Sequence, residues 1–205
     1  MSHNRYPVPA KWHRVETEVK RSRFITTVMP TADREQSRVF VRQIRQEFAD
    51  ANHNCWARVI GAPGCTMEAG MSDDGEPQGA AGKPMLTTLL HANIGDITVV
   101  VSRYFGGIRL GKGGMVRAYT GAVLHALASL PTVDKIDYRP LQLILDYSLL
   151  EQVQRLYKNY EVKIEQHSYT DQVQIDLQLP REHIEAFKLH LTELSHGRIS
   201  ITQQP

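Results

Sequence analysis

Apolar positions recur in this chain at two spacings, close to four residues apart in some segments and two in others, and the spacing predicts the elements. Val15 to Val28 reads as two short strands or one bent strand. Thr31 to Phe48 reads as a helix, with Phe40, Ile44 and Phe48 on one face and Arg34, Arg38, Arg42 and Arg45 largely on the other. Asn54 to Ile60 follows as a strand. Pro84 suits the first turn of a helix whose Met85, Leu86, Leu89 and Leu90 supply an apolar stripe. Ile97 to Val101, β-branched and nearly all apolar, fits a central strand buried on both faces. A second core helix runs from Gly114 to Leu130, carrying Met115, Tyr119, Val123 and Leu127 at helical spacing.

Pro131 ends that helix and begins a short connection. Beyond it the rhythm is simpler. Leu141, Leu143 and Leu145 alternate as in a strand, and Ser148 with Glu151 forms a capping-box pattern for a helix through Lys158. Val162 and Ile164 mark a second strand; Val173, Ile175, Leu177 and Leu179 mark a third. Arg181 to Leu194 is helical, with Ile184, Phe187, Leu191 and Leu194 inward, and Ile199 and Ile201 close the chain as a strand. This βαββαβ order is the ferredoxin-like pattern. The fold class expected is therefore α+β in two domains, residues 1–133 and 134–205.

Composition narrows the setting. The chain has 205 residues, of which 41% are hydrophobic and 22% charged, an ordinary globular balance. Met1 to Arg23 has no apolar core of a secretory signal, and the longest strongly apolar stretch, Ile97 to Val101, is far too short for a bilayer. Two cysteines, Cys55 and Cys65, make no disulfide framework. A cytoplasmic protein with no membrane contact is expected. Residues 1–134 carry 16 Lys and Arg against 12 Asp and Glu, and the remainder 8 against 10, so the first domain is mildly basic and the second mildly acidic. Ile97 to Tyr119 holds Arg103, Arg109, Lys112 and Arg117 and no acidic residue.

Glycine separates the halves more sharply than charge, since 13 of 14 glycines fall between Gly61 and Gly121. Two segments there hold candidate chemistry. Ser72-Asp73-Asp74-Gly75-Glu76-Pro77-Gln78-Gly79 sets three carboxylates among turn-forming residues, which suits either a divalent cation or general base, or a turn whose Asp side chains bond nearby backbone N–H groups. No His-containing metal pattern accompanies it, and no metal, cofactor or catalytic residue is assigned. Arg103-Tyr104-Phe105-Gly106-Gly107-Ile108-Arg109-Leu110-Gly111-Lys112-Gly113-Gly114 lies between a predicted strand and a predicted helix, where glycines let backbone N–H groups approach an anion. Gly106 to Lys112 matches the start of a P-loop, but Gly113 stands where Ser or Thr would hold magnesium, which rejects a standard nucleotide hydrolase. Arg103, Arg109, Lys112 and Arg117 are instead candidate contacts to a nucleic-acid backbone, with Tyr104 or Phe105 to stack on bases. Against this stands a purely structural role, in which the glycines serve tight packing and the aromatics are core. His53 and Cys55 share a strand face but read as a buried cysteine beside an ordinary histidine.

Taken in order, Ser72-Asp73-Asp74-Gly75-Glu76-Pro77, Gly82-Lys83-Pro84, Gly95, Arg103-Tyr104-Phe105-Gly106-Gly107, Gly111 and Arg117-Ala118-Tyr119 resemble the signature of the Impact family, including its bacterial YigZ-type members. The resemblance covers nearly the whole chain. It implies a first domain similar to ribosomal protein S5 domain 2 and a ferredoxin-like second domain similar to one in elongation factor G, both pointing to RNA or the ribosome. Eukaryotic members regulate translation through an additional N-terminal module not recognised here, so their protein partner is not carried over. Small-metabolite kinases share the S5-like fold, but their ATP-binding pattern is absent from this sequence. The leading expectation is a non-enzymatic RNA- or ribosome-binding protein, a regulator of translation, with a protein contact through the second domain. The alternatives are a phosphate-handling metal-dependent enzyme using Asp73, Asp74 or Glu76 with Lys112, and a protein-interaction module.

Overall fold

The structure, a computed structural model, describes residues 4–203 and, of Cys65 and Thr66, the backbone alone. The chain divides into two units, Met1–Lys135 and Ile136–Pro205.

In the first unit a five-stranded antiparallel sheet runs in the order β2-β3-β6-β4-β5, from β2 (His13–Val19), β3 (Ser22–Pro30), β4 (His53–Ala62), β5 (Cys65–Ser72) and β6 (Ile97–Tyr104). The first two strands form a hairpin, not a bent strand: Lys20 and Arg21 both adopt positive φ, 47° and 64°, as a two-residue turn that matches strand twist requires. Helix α1 (Arg34–Glu47) starts where Asp33 accepts a hydrogen bond from the Gln36 backbone N–H at 2.8 Å. It packs Phe40, Val41 and Ile44 against Val100 and Trp56. Helices α2 (Gly82–His91) and α3 (Gly111–Ala128) cover the opposite face, where Val99 and Val101 meet Met85, Leu89, Tyr119 and Val123. Strand β6 is thus buried on both sides, as its composition predicts.

Several expectations shift. Strand β5 lacks an apolar pattern and was not foreseen. The short connection after Pro131 enters β7 (Thr132–Ile136), which pairs with β1 (Arg5–Pro9) in a two-stranded sheet. The predicted α2 stripe is narrower, because Leu90 is about half exposed.

The second unit folds β8 (Tyr138–Leu145), α4 (Leu150–Leu156), β9 (Lys163–Tyr169), β10 (Val173–Pro180), α5 (Ile184–Ser195) and β11 (Ser200–Gln203). Its antiparallel sheet has the order β11-β8-β10-β9. Alternation along β8 and β10 places Leu141, Leu143, Leu145, Val173, Ile175, Leu177 and Leu179 in one core with Phe187 and Leu191. The capping box is not formed: Ser148 lies inside a 3-10 turn, Tyr147–Leu149, and no side chain caps α4. Ile164 is 39% exposed and lies outside the core, while Val162, just before β9, packs partly buried against it. Among the described residues no helix is long and apolar enough to cross a membrane.

Candidate functional site

Strand register assembles the site. His53 opens β4 directly across from Arg103, near the end of β6, and Phe24 of β3 faces Arg103 from the other side. The loop between β5 and α2 then carries Glu76 over this strand end. Glu76 and Arg103 are both buried, and Glu76 Oε1 accepts from Arg103 Nη1 at 2.5 Å and from the Tyr119 hydroxyl at 2.8 Å. Two charges leave water here only because they meet each other. Burial of Tyr119 itself pushes its hydroxyl far above the ordinary pKa, with Cys55 and Glu76 adding to the effect. Cys55 is fully buried and donates to the Asp73 carbonyl at 2.9 Å. Burial pushes its thiol up to about 12, so it is no thiolate nucleophile.

The carboxylates of the acidic loop are each occupied by protein donors. Asp73 accepts from the backbone N–H groups of Gly79, Ala81 and Gly82 at 2.9, 3.0 and 2.8 Å, closing the loop onto the start of α2. Burial alone would raise its pKa, but these three bonds and the charge of Lys112 hold it below the ordinary carboxylate range. Asp74, at a positive φ of 44°, pairs with Arg45 and accepts from the Asn54 N–H at 2.7 Å. The loop therefore meets the glycine-rich segment twice, through Glu76 at Arg103 and through Asp73, which lines a groove with Lys112; Asp73 also bonds the loop's own backbone N–H groups, while Asp74 ties the loop to α1 and β4. Among the described residues, the three-membered group with metal-ligand spacing is Glu161, Glu182 and His183 in the second unit; the acidic loop offers none.

The glycine-rich segment splits into buried and exposed parts. Arg103, expected on a binding surface, is 6% exposed and committed to Glu76. Tyr104 donates its hydroxyl to Asp50 at 2.7 Å with Arg23 over its ring, so Phe105, 49% exposed, is the aromatic open to solvent. Gly106 serves packing, since a Cβ there would stand 2.0 Å from the Arg21 carbonyl of the β2–β3 turn. Gly107 and Gly111 hold positive φ, 83° and 70°, in open space, and Gly113 and Gly114 lie in the first turn of α3. Arg109, Lys112 and Arg117 are exposed and, among the described residues, make no ion pair.

Two cavities flank this segment. A pocket of about 410 Å³ is lined by His53, Glu76, Arg103, Phe105, Arg109 and Met115, among others. A larger groove, about 1030 Å³, runs between α2 and α3 with Lys83, Lys112, Val116 and Leu124 on its walls. Lys112 and Arg109 thus belong to different concavities. The pocket holds the more specific chemistry, since Glu76 and Arg103 are buried in its wall and fixed by each other. His53 went unrecognised in the sequence because only the β4–β6 register sets it opposite Arg103; its two-residue spacing from Cys55 was the sole local signal.

With this geometry in view, similarity to known proteins becomes specific. Residues 20–127 match the Impact N-terminal domain, and residues 143–198 match a domain of unknown function, DUF1949. An "IMPACT family member" from Haemophilus influenzae is 43% identical over 96% of this chain and 95% of its own, and "IMPACT family member YigZ" from Escherichia coli is 40% identical over 95% of each. "Protein IMPACT" of Mus musculus is 34% identical over 51% of this chain and 33% of its own. A crystal structure of a hypothetical protein, 39% identical, superposes with a TM-score of 0.68 and covers 98% of both chains. The matched N-terminal domain contains every residue of the pocket and of the glycine-rich segment. The chain belongs to the Impact family.

Proposed function

We propose that this protein is a non-enzymatic RNA-binding protein of the cytoplasm, acting on the ribosome as a regulator of translation, and that the start of α3 is its RNA-binding surface. One observation carries the reading: Arg109, Lys112 and Arg117 are exposed and make no ion pair among the described residues, Arg109 just before an 18-residue helix, Lys112 in its first turn and Arg117 in its second. Cations and a helix dipole there act on phosphate together. Phe105 adds an exposed ring for stacking. Arg103 takes no phosphate in this reading. The family's eukaryotic members, through their link to translation, favour an RNA or ribosomal target, and so do the expected likenesses to ribosomal protein S5 domain 2 and an elongation factor G domain. The order β8-α4-β9-β10-α5-β11 supports the ferredoxin-like assignment of the second unit. That unit, with Tyr147 and Tyr169 stacked and exposed, serves a protein contact.

The test is binding to ribosomes and short single-stranded RNAs at several salt concentrations, comparing wild type with Arg109→Ala/Lys112→Ala/Arg117→Ala. Affinity should fall as salt rises, and the triple variant should lose about 2 units of the log–log slope, at ~0.7 per phosphate contact. Salt-independent binding would exclude phosphate contacts and the proposal with them.

A further inference from the structure

We propose that the pocket formed by His53, Glu76, Arg103 and Phe105 is a guanine pocket, accepting the base of a guanosine phosphate whose phosphate lies toward Arg109 and the start of α3. The inference deepens the RNA-binding reading and rests on it for the source of the base.

The polar groups of the pocket dictate what fits. His53 Nδ1 lies 2.9 Å from the Asp74 carbonyl oxygen, which only accepts, so Nδ1 carries a proton and the tautomer this bond selects has its acceptor at Nε2. Nε2 stands 3.9 Å from Glu76 Oε2, beyond hydrogen-bonding reach. Two acceptors therefore sit side by side. Glu76 Oε1, by contrast, is already supplied by Arg103 and Tyr119. Beside them, Arg103 has a side chain 7% exposed whose Nε is buried without a partner. An orphaned donor of this kind is costly unless a ligand meets it.

The complement is a group with adjacent N–H donors next to an acceptor. A simple cation would satisfy the two acceptors, but Arg103 and Arg109 oppose it electrostatically. A neutral donor edge avoids that repulsion. Among the nucleobases, guanine presents two neighbouring donors, its ring N1–H and its 2-amino group, followed by the O6 acceptor. Adenine offers one donor beside an acceptor, and uracil one donor between two carbonyls. Met115 and Leu110 give the pocket apolar walls, and Phe105 provides a stacking face at its rim. Arg109, just before α3, and Gly111, its first residue, line the same pocket on the side where an attached phosphate would meet N–H groups.

The experiment is equilibrium binding of the full chain to GMP and AMP, and to short single-stranded RNAs with and without guanosine. GMP should bind at least tenfold tighter than AMP, and guanosine-containing RNA tighter than RNA lacking it. Glu76→Gln removes an acceptor but also disturbs the buried pair, so Phe105→Ala, on the exposed rim, serves as the second variant; it should weaken GMP binding about tenfold through lost stacking. Equal binding of GMP and AMP, with RNA bound regardless of guanosine, overturns the pocket and leaves the RNA reading standing. GMP preference without RNA binding keeps the pocket, with a free guanine nucleotide as its ligand, and removes the RNA reading. Binding of neither removes both. A GMP preference untouched by either substitution overturns the assignment to these residues.

Discussion

The two units bury different kinds of residue. Among the described residues, twelve of the thirteen buried polar or charged side chains lie in the first unit, including Arg58, Glu76, Asp96 and Arg103; Ser195 is the one in the second. The second core is aliphatic, assembled from alternating positions of β8 and β10 against α5. Ser195 itself only ties off the end of α5, donating to the Leu191 carbonyl at 2.7 Å. Desolvating a charge costs several kcal/mol unless a partner returns it. Of the four buried charges in the first unit, Glu76 and Arg103 line one pocket, where the cost also fixes polar groups for a ligand, whereas Arg58 and Asp96 are paired elsewhere and an aliphatic core needs no other explanation than stability. The asymmetry agrees with the proposal that the binding surface lies in the first unit.

The largest test of the contrast is Glu76→Ala. It leaves the Arg103 guanidinium buried without its carboxylate, and the expected loss is ~3–5 kcal/mol in urea denaturation. Glu76→Leu combined with Arg103→Met, which removes both charges and keeps the volume, should regain most of that loss while abolishing the pocket's polar character. A cost below about 1 kcal/mol for Glu76→Ala would mean the pair is hydrated, and the contrast between the cores would fail.

In the second unit the corresponding break is a cavity. Leu177 is fully buried in β10, and Leu177→Ala should cost ~2–5 kcal/mol by the same measurement, with Leu177→Met below about 1.5. No pair of substitutions is needed to explain the effect. If Leu177→Ala also altered RNA binding at temperatures where both proteins are folded, the second unit would carry more of the function than its plain core implies.

The same difference governs how much was legible in the sequence. Where burial follows period two or period four, as in Val173 to Leu179 or Phe40 to Ile44, the pattern alone identified strand, helix and inward face. Strand β5 escaped because its Gly70, Ala69 and polar positions make no alternation, and β1 and β7 because they pair in a short two-stranded sheet held to the rest by polar contacts such as Tyr6 and Lys135 on Asp96. At the site, the acidic loop and the glycine-rich loop were legible as separate motifs. Their meeting was not, because Glu76 and Arg103 are 27 residues apart and joined by tertiary structure. The exposed place expected for Arg103 followed from its charge and its neighbours in sequence; the structure buries it because a partner carboxylate arrives from another loop.

Asp73→Ala gives a smaller effect of known sign. Losing the acceptor of three backbone N–H groups at the start of α2 should cost ~1–2 kcal/mol, the scale of a lost helix cap. Because the folded-state pKa of Asp73 is lowered, its contribution is complete above the ordinary aspartate value, ~3.9, and disappears as pH falls through the lower folded-state value. Denaturation curves of wild type and variant should therefore differ at pH 7 and converge in acid. A gap that persists below both values would assign the effect to packing instead.

The smallest effect on stability is expected from the exposed cations, and that makes them the sharpest probe of where the two units differ in function. Lys112→Ala in the first unit and Lys158→Ala in the second both remove a solvent-exposed ammonium, and each should change stability by no more than about 0.5 kcal/mol. Their binding should separate them. If RNA phosphate meets the start of α3, Lys112→Ala lowers the log–log salt slope by about 0.7, while Lys158→Ala leaves it unchanged. Equal losses in the two variants would show that the cations act through net charge alone. The buried polar core of the first unit would then support a pocket without a surrounding phosphate surface.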